Sequence, residues 1–151
     1  RLTIGLRRDE GRWVVVHEHH SFSDDSASGE DDIRAIHDRW SDRTAAKDLD
    51  GLMADIADDV VSYEHQSPLQ YVGVDAVRES CRQGLAATDG PVTFTVPDLT
   101  VRTAGDLAVA WGLNRTTLDG AETWSRGTRV FARRGGRWQM IHQHVSFPVD
   151  G

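Results

Sequence analysis

Residues Thr128 to Phe147, TRVFARRGGRWQMIHQHVSF, set two β-rich runs on either side of Arg134-Gly135-Gly136. Paired glycines between such runs specify a tight hairpin, because glycine enters positive φ without steric cost. Side chains alternate sides along the second run. Trp138, Met140, His142, His144 and Ser146 are therefore expected on one face, and Gln139, Ile141, Gln143, Val145 and Phe147 on the other. The same text opens the chain. Arg1 to Asp25 aligns without a gap on Arg126 to Asp150, an offset of 125 residues, with eleven identities in 25 positions that include Trp13/Trp138, His17/His142 and His19/His144. An internal repeat accounts for this better than two unrelated hairpins.

An offset of that size matches one ordinary domain. The expected organisation is residues 1–22 as the terminal β-hairpin of a truncated preceding repeat, 23–29 (SDDSASG) as a polar linker, and 30–151 as one complete domain. A hairpin without its own helices is expected to pair with a sheet edge of the same or a neighbouring chain, or to be poorly ordered.

After the linker the period changes. Ile33, Ile36, His37, Trp40 and Thr44 recur at helical spacing, with Asp31 or Asp32 as the expected cap and an end near Lys47. His37 falls on the apolar side, where a hydrogen-bonded core histidine is the simplest expectation. Asp48 can cap a short second helix carrying Leu49, Leu52, Met53 and Ile56. Val60 to Glu64 reads as a strand, Val74 to Ala87 as a third helix turning Val77, Cys81 and Leu85 inward, and Val92 onward as strand and turn. The sum is an α+β arrangement: a long, curved antiparallel sheet closed by three helices on its concave side into a cone with a pocket inside. If His142 and His144 face inward, Ile141, Val145 and Phe147 fall on the outer face, which suits a dimer contact.

Net charge is −7, a poor match to nucleic acid, whose binding requires a basic face. A single cysteine, Cys81, excludes an intrachain disulfide and a cysteine-rich zinc site. No apolar run approaches membrane-spanning length and no signal peptide lies within the sequence, so a cytoplasmic location is expected.

The element order resembles the nuclear transport factor 2-like (cystatin-like) fold, a cone shared by ketosteroid isomerases and SnoaL-like polyketide cyclases. The run Thr128-Arg129-Val130-Phe131, Arg133-Arg134, Gly136-Arg137-Trp138-Gln139, His142-Gln143-His144-Val145-Ser146 and Pro148 more closely resembles the association (hub) domain of calcium/calmodulin-dependent protein kinases and its bacterial SnoaL-like relatives. No kinase catalytic motif accompanies it. The resemblance implies one of two functions. One is a small-molecule-binding protein, acting as a cofactor-independent isomerase, cyclase or hydrolase by acid/base chemistry in the cone. The other is a non-catalytic association module forming a homodimer or a larger homo-oligomer. The hub branch implies a pocket arginine at the position of Arg129.

An arginine suits a carboxylate, which it can hold through two parallel hydrogen bonds. A structural arginine paired to an acid is the competing reading. His65 and Tyr63, at the end of the Val60 strand, are the candidate acid/base pair. His142 and His144 share a face and are candidate ligand contacts, with Trp111 and Trp124 as flat apolar walls for a small hydrophobic or carboxylate-bearing ligand. With His65 or Glu64 the histidine pair could also suit a metal, but two histidines fall short of a metal signature and no metal is assigned. Gly135-Gly136 is a turn rather than a phosphate cradle, and no cofactor is expected.

Overall fold

The structure, a computed structural model, describes residues 2–9, 12–20 and 25–148. A hairpin of β1 (Leu2–Asp9) and β2 (Arg12–His20) is followed by helices α1 (Asp25–Ala45) and α2 (Leu49–Met53). Then come β3 (Ile56–Tyr63), β4 (Tyr71–Val72), α3 (Val74–Leu85), β5 (Val92–Thr95), β6 (Thr100–Ala104), β7 (Leu107–Leu118), β8 (Ala121–Arg134) and β9 (Arg137–Ser146). Among the described residues no helix is long and apolar enough to cross a membrane.

The expected α+β sheet forms in the order β4-β3-β9-β8-β7-β5, with β6 also on β7. It is antiparallel except where β3 lies parallel to β9, which makes it mixed. Pattern fixes which face of a strand is apolar but not the direction of its neighbour, so this ladder was invisible in the sequence. The tight turn at Gly135-Gly136 holds both residues at positive φ, as a two-residue hairpin requires. Asp48 accepts from the Gly51 backbone N–H at 2.9 Å and so caps α2, as expected.

Helix α1 turns Ile33, Ile36, His37, Trp40 and Thr44 inward, the stripe its spacing prescribes. Ile33, Ile36, Val60, Val101, Phe131 and Met140 form the driest part of one core between the helices and the sheet. Full burial of each such side chain is worth about 1.5–3 kcal/mol. The helix begins at Asp25, earlier than the expected cap at Asp31 or Asp32, so the 25–29 part of the expected linker is helical. Gly29 is buried, and a Cβ there would stand 3.2 Å from Thr103 Cγ2 and 3.3 Å from Trp138 Cζ2.

The N-terminal hairpin forms a separate two-stranded sheet, and no ladder joins it to the seven-stranded one among the described residues. Its register nevertheless repeats that of β8–β9 pair for pair at the 125-residue offset, from Leu2↔His20 beside Gly127↔Val145 to Asp9↔Arg12 beside Arg134↔Arg137. Both ladders slip at the same place, between Gly5 and Leu6 in one and between Val130 and Phe131 in the other. The repeat is thus one of backbone geometry as well as of sequence. Residues 10 and 11, between the two strands, lie outside the described residues.

Space at Gly29 gives a stability prediction. A helical glycine ordinarily gains from a side chain, but Gly29→Val would overpack the α1–sheet contact. It is expected to cost about 1–3 kcal/mol in urea unfolding. An unchanged or raised midpoint would show that α1 is not seated on Trp138 and Thr103.

Candidate functional site

The slip in β8–β9 decides which side chains enter the core. Phe131 pairs with Met140 and Val130 with His142, so Ile141 is an extra residue on β9. Alternation restarts after it. Trp138 and Met140 point into the core as expected, but from residue 142 the faces are exchanged. Gln143, opposite Arg129, now points inward, and His142 and His144 point out. The expectation that both histidines share the face of Trp138 and Met140 is therefore corrected, because one inserted residue shifts a period-two pattern by one.

On the inner face, Ala108, Ala110, Gly112 and Asn114 of β7 stand opposite Phe131, Arg129, Gly127 and Ser125 of β8. Arg129 is 3% exposed. Its Nη2 donates to Asn114 Oδ1 at 2.9 Å, and Asn114 Nδ2 donates to Ser125 Oγ at 3.1 Å. Its Nη1 has no hydrogen-bond partner among the described residues. The guanidinium carbon lies 5.5 Å from the Phe94 ring centre and 5.9 Å from that of Trp40, a cation–π setting. Loss of water pulls its pKa down to about 10, and the charge of Glu64 opposes that fall. The side chain is still a cation at neutral pH. Gly127 gives it room, since a Cβ there would sit 2.7 Å from Asn114 Oδ1 and 3.0 Å from Arg129 Nη1.

Glu64, just past β3, closes one side. Its Oε1 accepts from Ser62 Oγ at 2.6 Å and from Gln143 Nε2 at 2.7 Å. From α1 comes His37, 5% exposed, whose Nδ1–H donates to the Ile33 carbonyl at 2.9 Å. Its Nε2 is buried without a partner among the described residues. Burial first, and then the charge of Arg129, holds its pKa down to about 4. The Cys81 thiol is pushed up to about 11 by burial and then by the charge of Glu64.

The other expected site residues lie elsewhere. His142 Nδ1–H donates to the Val61 carbonyl at 2.7 Å, and Tyr63 stands edge-on to both His142 and His144, at 4.9 Å and 6.0 Å between ring centres. Tyr63 is 41% exposed, Trp111 42% and Trp124 43%, all on the outer face. Trp124 Nε1 donates to Glu122 at 2.6 Å. His65 is exposed beyond β3, its ring 4.1 Å from that of Phe147. The structure thus gathers Tyr63, His142 and His144 on one side and leaves Arg129 on the other. From the sequence Asn114 is expected on the strand face opposite Trp111, as it is found, and Glu64 enters only as a possible third metal ligand; that these two, with His37, Ser62 and Gln143, surround Arg129 is not legible there. No three His, Cys, Asp or Glu side chains among the described residues converge as a metal set. A surface cleft of about 440 Å³ between α2, α3 and the start of β9, lined by Asp50, Asp58, Arg78 and Arg137, is separate from this cluster.

Comparison with known proteins fits this geometry. The SnoaL-like domain family matches residues 33–150. The chain belongs to that family. An NTF2-like protein of unknown function from Pseudomonas putida is 35% identical, over 83% of this chain and 90% of its own, with a TM-score of 0.77. An NTF2-like protein from Streptomyces avermitilis, provisionally named a dehydratase, is 18% identical over 82% and 99% with a TM-score of 0.71. A Xanthomonas campestris protein, provisionally named a calcium/calmodulin dependent protein kinase II association domain, is 22% identical over 79% and 87% with a TM-score of 0.68. These last two share the fold. No curated protein matches this SnoaL-like chain.

The buried histidine makes stability depend on pH. Its folded pKa lies below the unfolded value, so the unfolded chain binds the proton more readily. The contribution is complete above pH 6.5, declines as pH falls from there to about 4, and is constant below. The wild type is expected to lose about 3 kcal/mol more than His37→Phe across that window in urea unfolding. Parallel curves would show that His37 is not buried as a neutral ring.

Proposed function

We propose that this SnoaL-like protein binds a small carboxylate inside the cone, with Arg129 as its anchor. The observation that carries the reading is the free Nη1 of a guanidinium that is almost wholly removed from water. A buried donor on a charged group without an acceptor is costly, by about 1–3 kcal/mol or more, and a ligand oxygen relieves that cost. Asn114 holds the other edge of the guanidinium and thereby fixes its direction. Glu64 compensates part of the charge without hydrogen bonding to it, which leaves the cation available to an anion.

Cofactor-independent acid/base chemistry in such a pocket, of the kind a dehydratase or isomerase performs, would fall to Glu64. His65 and Tyr63, the pair expected from the sequence, lie outside the Arg129 cluster. Thermal shift and calorimetry with butanoate, hexanoate and benzoate test the binding. At least one acid is expected to raise the melting temperature and to lose affinity by about a hundredfold in Arg129→Gln, the scale of a charge-assisted hydrogen bond. Absence of binding by all three would remove this reading.

A second reading rests on a different observation. Tyr63, Trp111, Leu113 and Trp124 are each more than 40% exposed on the outer sheet face, an apolar surface of the kind that marks association sites. On this reading the face packs on a second copy, in a homodimer or a larger homo-oligomer. Light scattering is expected to show an assembly that dissociates in the Trp111→Glu/Trp124→Glu double variant. A monomeric wild type would reject it.

A further inference from the structure

In the seven-stranded sheet the β8–β9 pair is held on both sides. β8 lies antiparallel to β7 and β9 parallel to β3, and the pair buries Phe131, Trp138 and Met140 in the core. The β1–β2 pair has the same register at every matched position and slips at the same step. A bulge sets the bend and twist of a hairpin, so one that shares it has the backbone shape for the same kind of seat.

The sequence fits such a seat as well. Where β8–β9 has the buried Phe131, Trp138 and Met140, the hairpin has Leu6, Trp13 and Val15, and where it has Gly127 and Arg129, the hairpin has Leu2 and Ile4. All five are apolar. In this chain, however, the hairpin is a two-stranded sheet of its own, with no further ladder among the described residues, and Trp13 is 67% exposed where Trp138 is 5%. Two strands alone are marginal in water, and unpaired backbone groups along their outer edges call for neighbours.

We propose that β1–β2 is the closing strand pair of a second SnoaL-like unit, which precedes it in the same polypeptide and seats it between its own counterparts of β7 and β3. A second copy of this chain is a poorer occupant, because the corresponding seat is taken by its own β8–β9. Chain order favours one polypeptide. β9 is the last strand of the described unit, and β2, its counterpart, ends at His20 shortly before α1 begins at Asp25, the order expected where two units join head to tail. The two units then differ at one place. With Ile4 at the position of Arg129 and Leu2 at that of Gly127, the first has neither the cation nor the glycine that makes room for it, and the buried guanidinium belongs to the second alone.

Hydrogen exchange read by mass spectrometry tests this on two proteins: residues 1–151, and the natural polypeptide with all that its gene encodes before Arg1. Those preceding residues are expected to repeat the element order of residues 25–125. In residues 1–151 the amides of 2–20 are expected to exchange at least about a hundredfold faster than those of 127–145, and in the natural polypeptide to slow to the same level. Trp13→Asp in the natural polypeptide is expected to undo that slowing at 2–20 and to leave 127–145 unchanged. A preceding segment with a different element order, or none, would overturn the proposal. So would exchange at 2–20 that is alike in the two proteins, or slowing that survives Trp13→Asp. Should Trp13→Asp fail to fold, the comparison of the two wild-type proteins decides by itself.

Discussion

A guanidinium taken out of water has to be held by something, and much of the inner sheet face is arranged around that requirement. Arg129 is kept in place by Asn114, by the aromatic rings of Trp40 and Phe94, and by the charge of Glu64. Gly127 leaves the space that the side chain occupies. A net interaction of this kind contributes modestly to stability, while removing one partner leaves a buried charge exposed to its full desolvation cost.

The inserted residue at Ile141 separates two surfaces that an unbroken strand would have mixed. Before it, β9 feeds Trp138 and Met140 to the core. After it, Gln143 joins Arg129 and Glu64 inside, and His142 and His144 join Tyr63 outside. The inner face is therefore polar at one end of the sheet and apolar at the other. The outer face carries histidines and aromatics together, a surface with the composition of a contact and without the burial of a pocket.

The N-terminal hairpin shows how far sequence identity and position diverge. It reproduces the ladder of β8–β9, slip included, yet the position matching Arg129 is Ile4, that matching Gly127 is Leu2 and that matching Gln143 is Glu18. At the half of the ladder nearest Arg129, identities fall instead at positions that point outward in β8–β9, Thr3/Thr128, His17/His142 and His19/His144. The two hairpins thus share the ladder and a run of identities, and the buried arginine belongs to one of them.

Much of the fold could be read from local pattern. The stripe Ile33, Ile36, His37, Trp40 and Thr44, the Asp48 cap, the Gly135-Gly136 turn and the three long strands all follow from periodicities and backbone preferences that act within a few residues, and each is present. Arg129 came from resemblance, and its burial agrees with an inward role. Tertiary structure alone decided the rest. The parallel β3–β9 ladder, the early start of α1 and the face reached by His142 and His144 depend on which strand lies alongside and on one unpaired residue, neither of which leaves a periodic trace. The approach of His37 and of Glu64 to Arg129 has the same origin: these residues stand far apart in the chain, and only the closing of α1 and β3 around the inner sheet face brings them together.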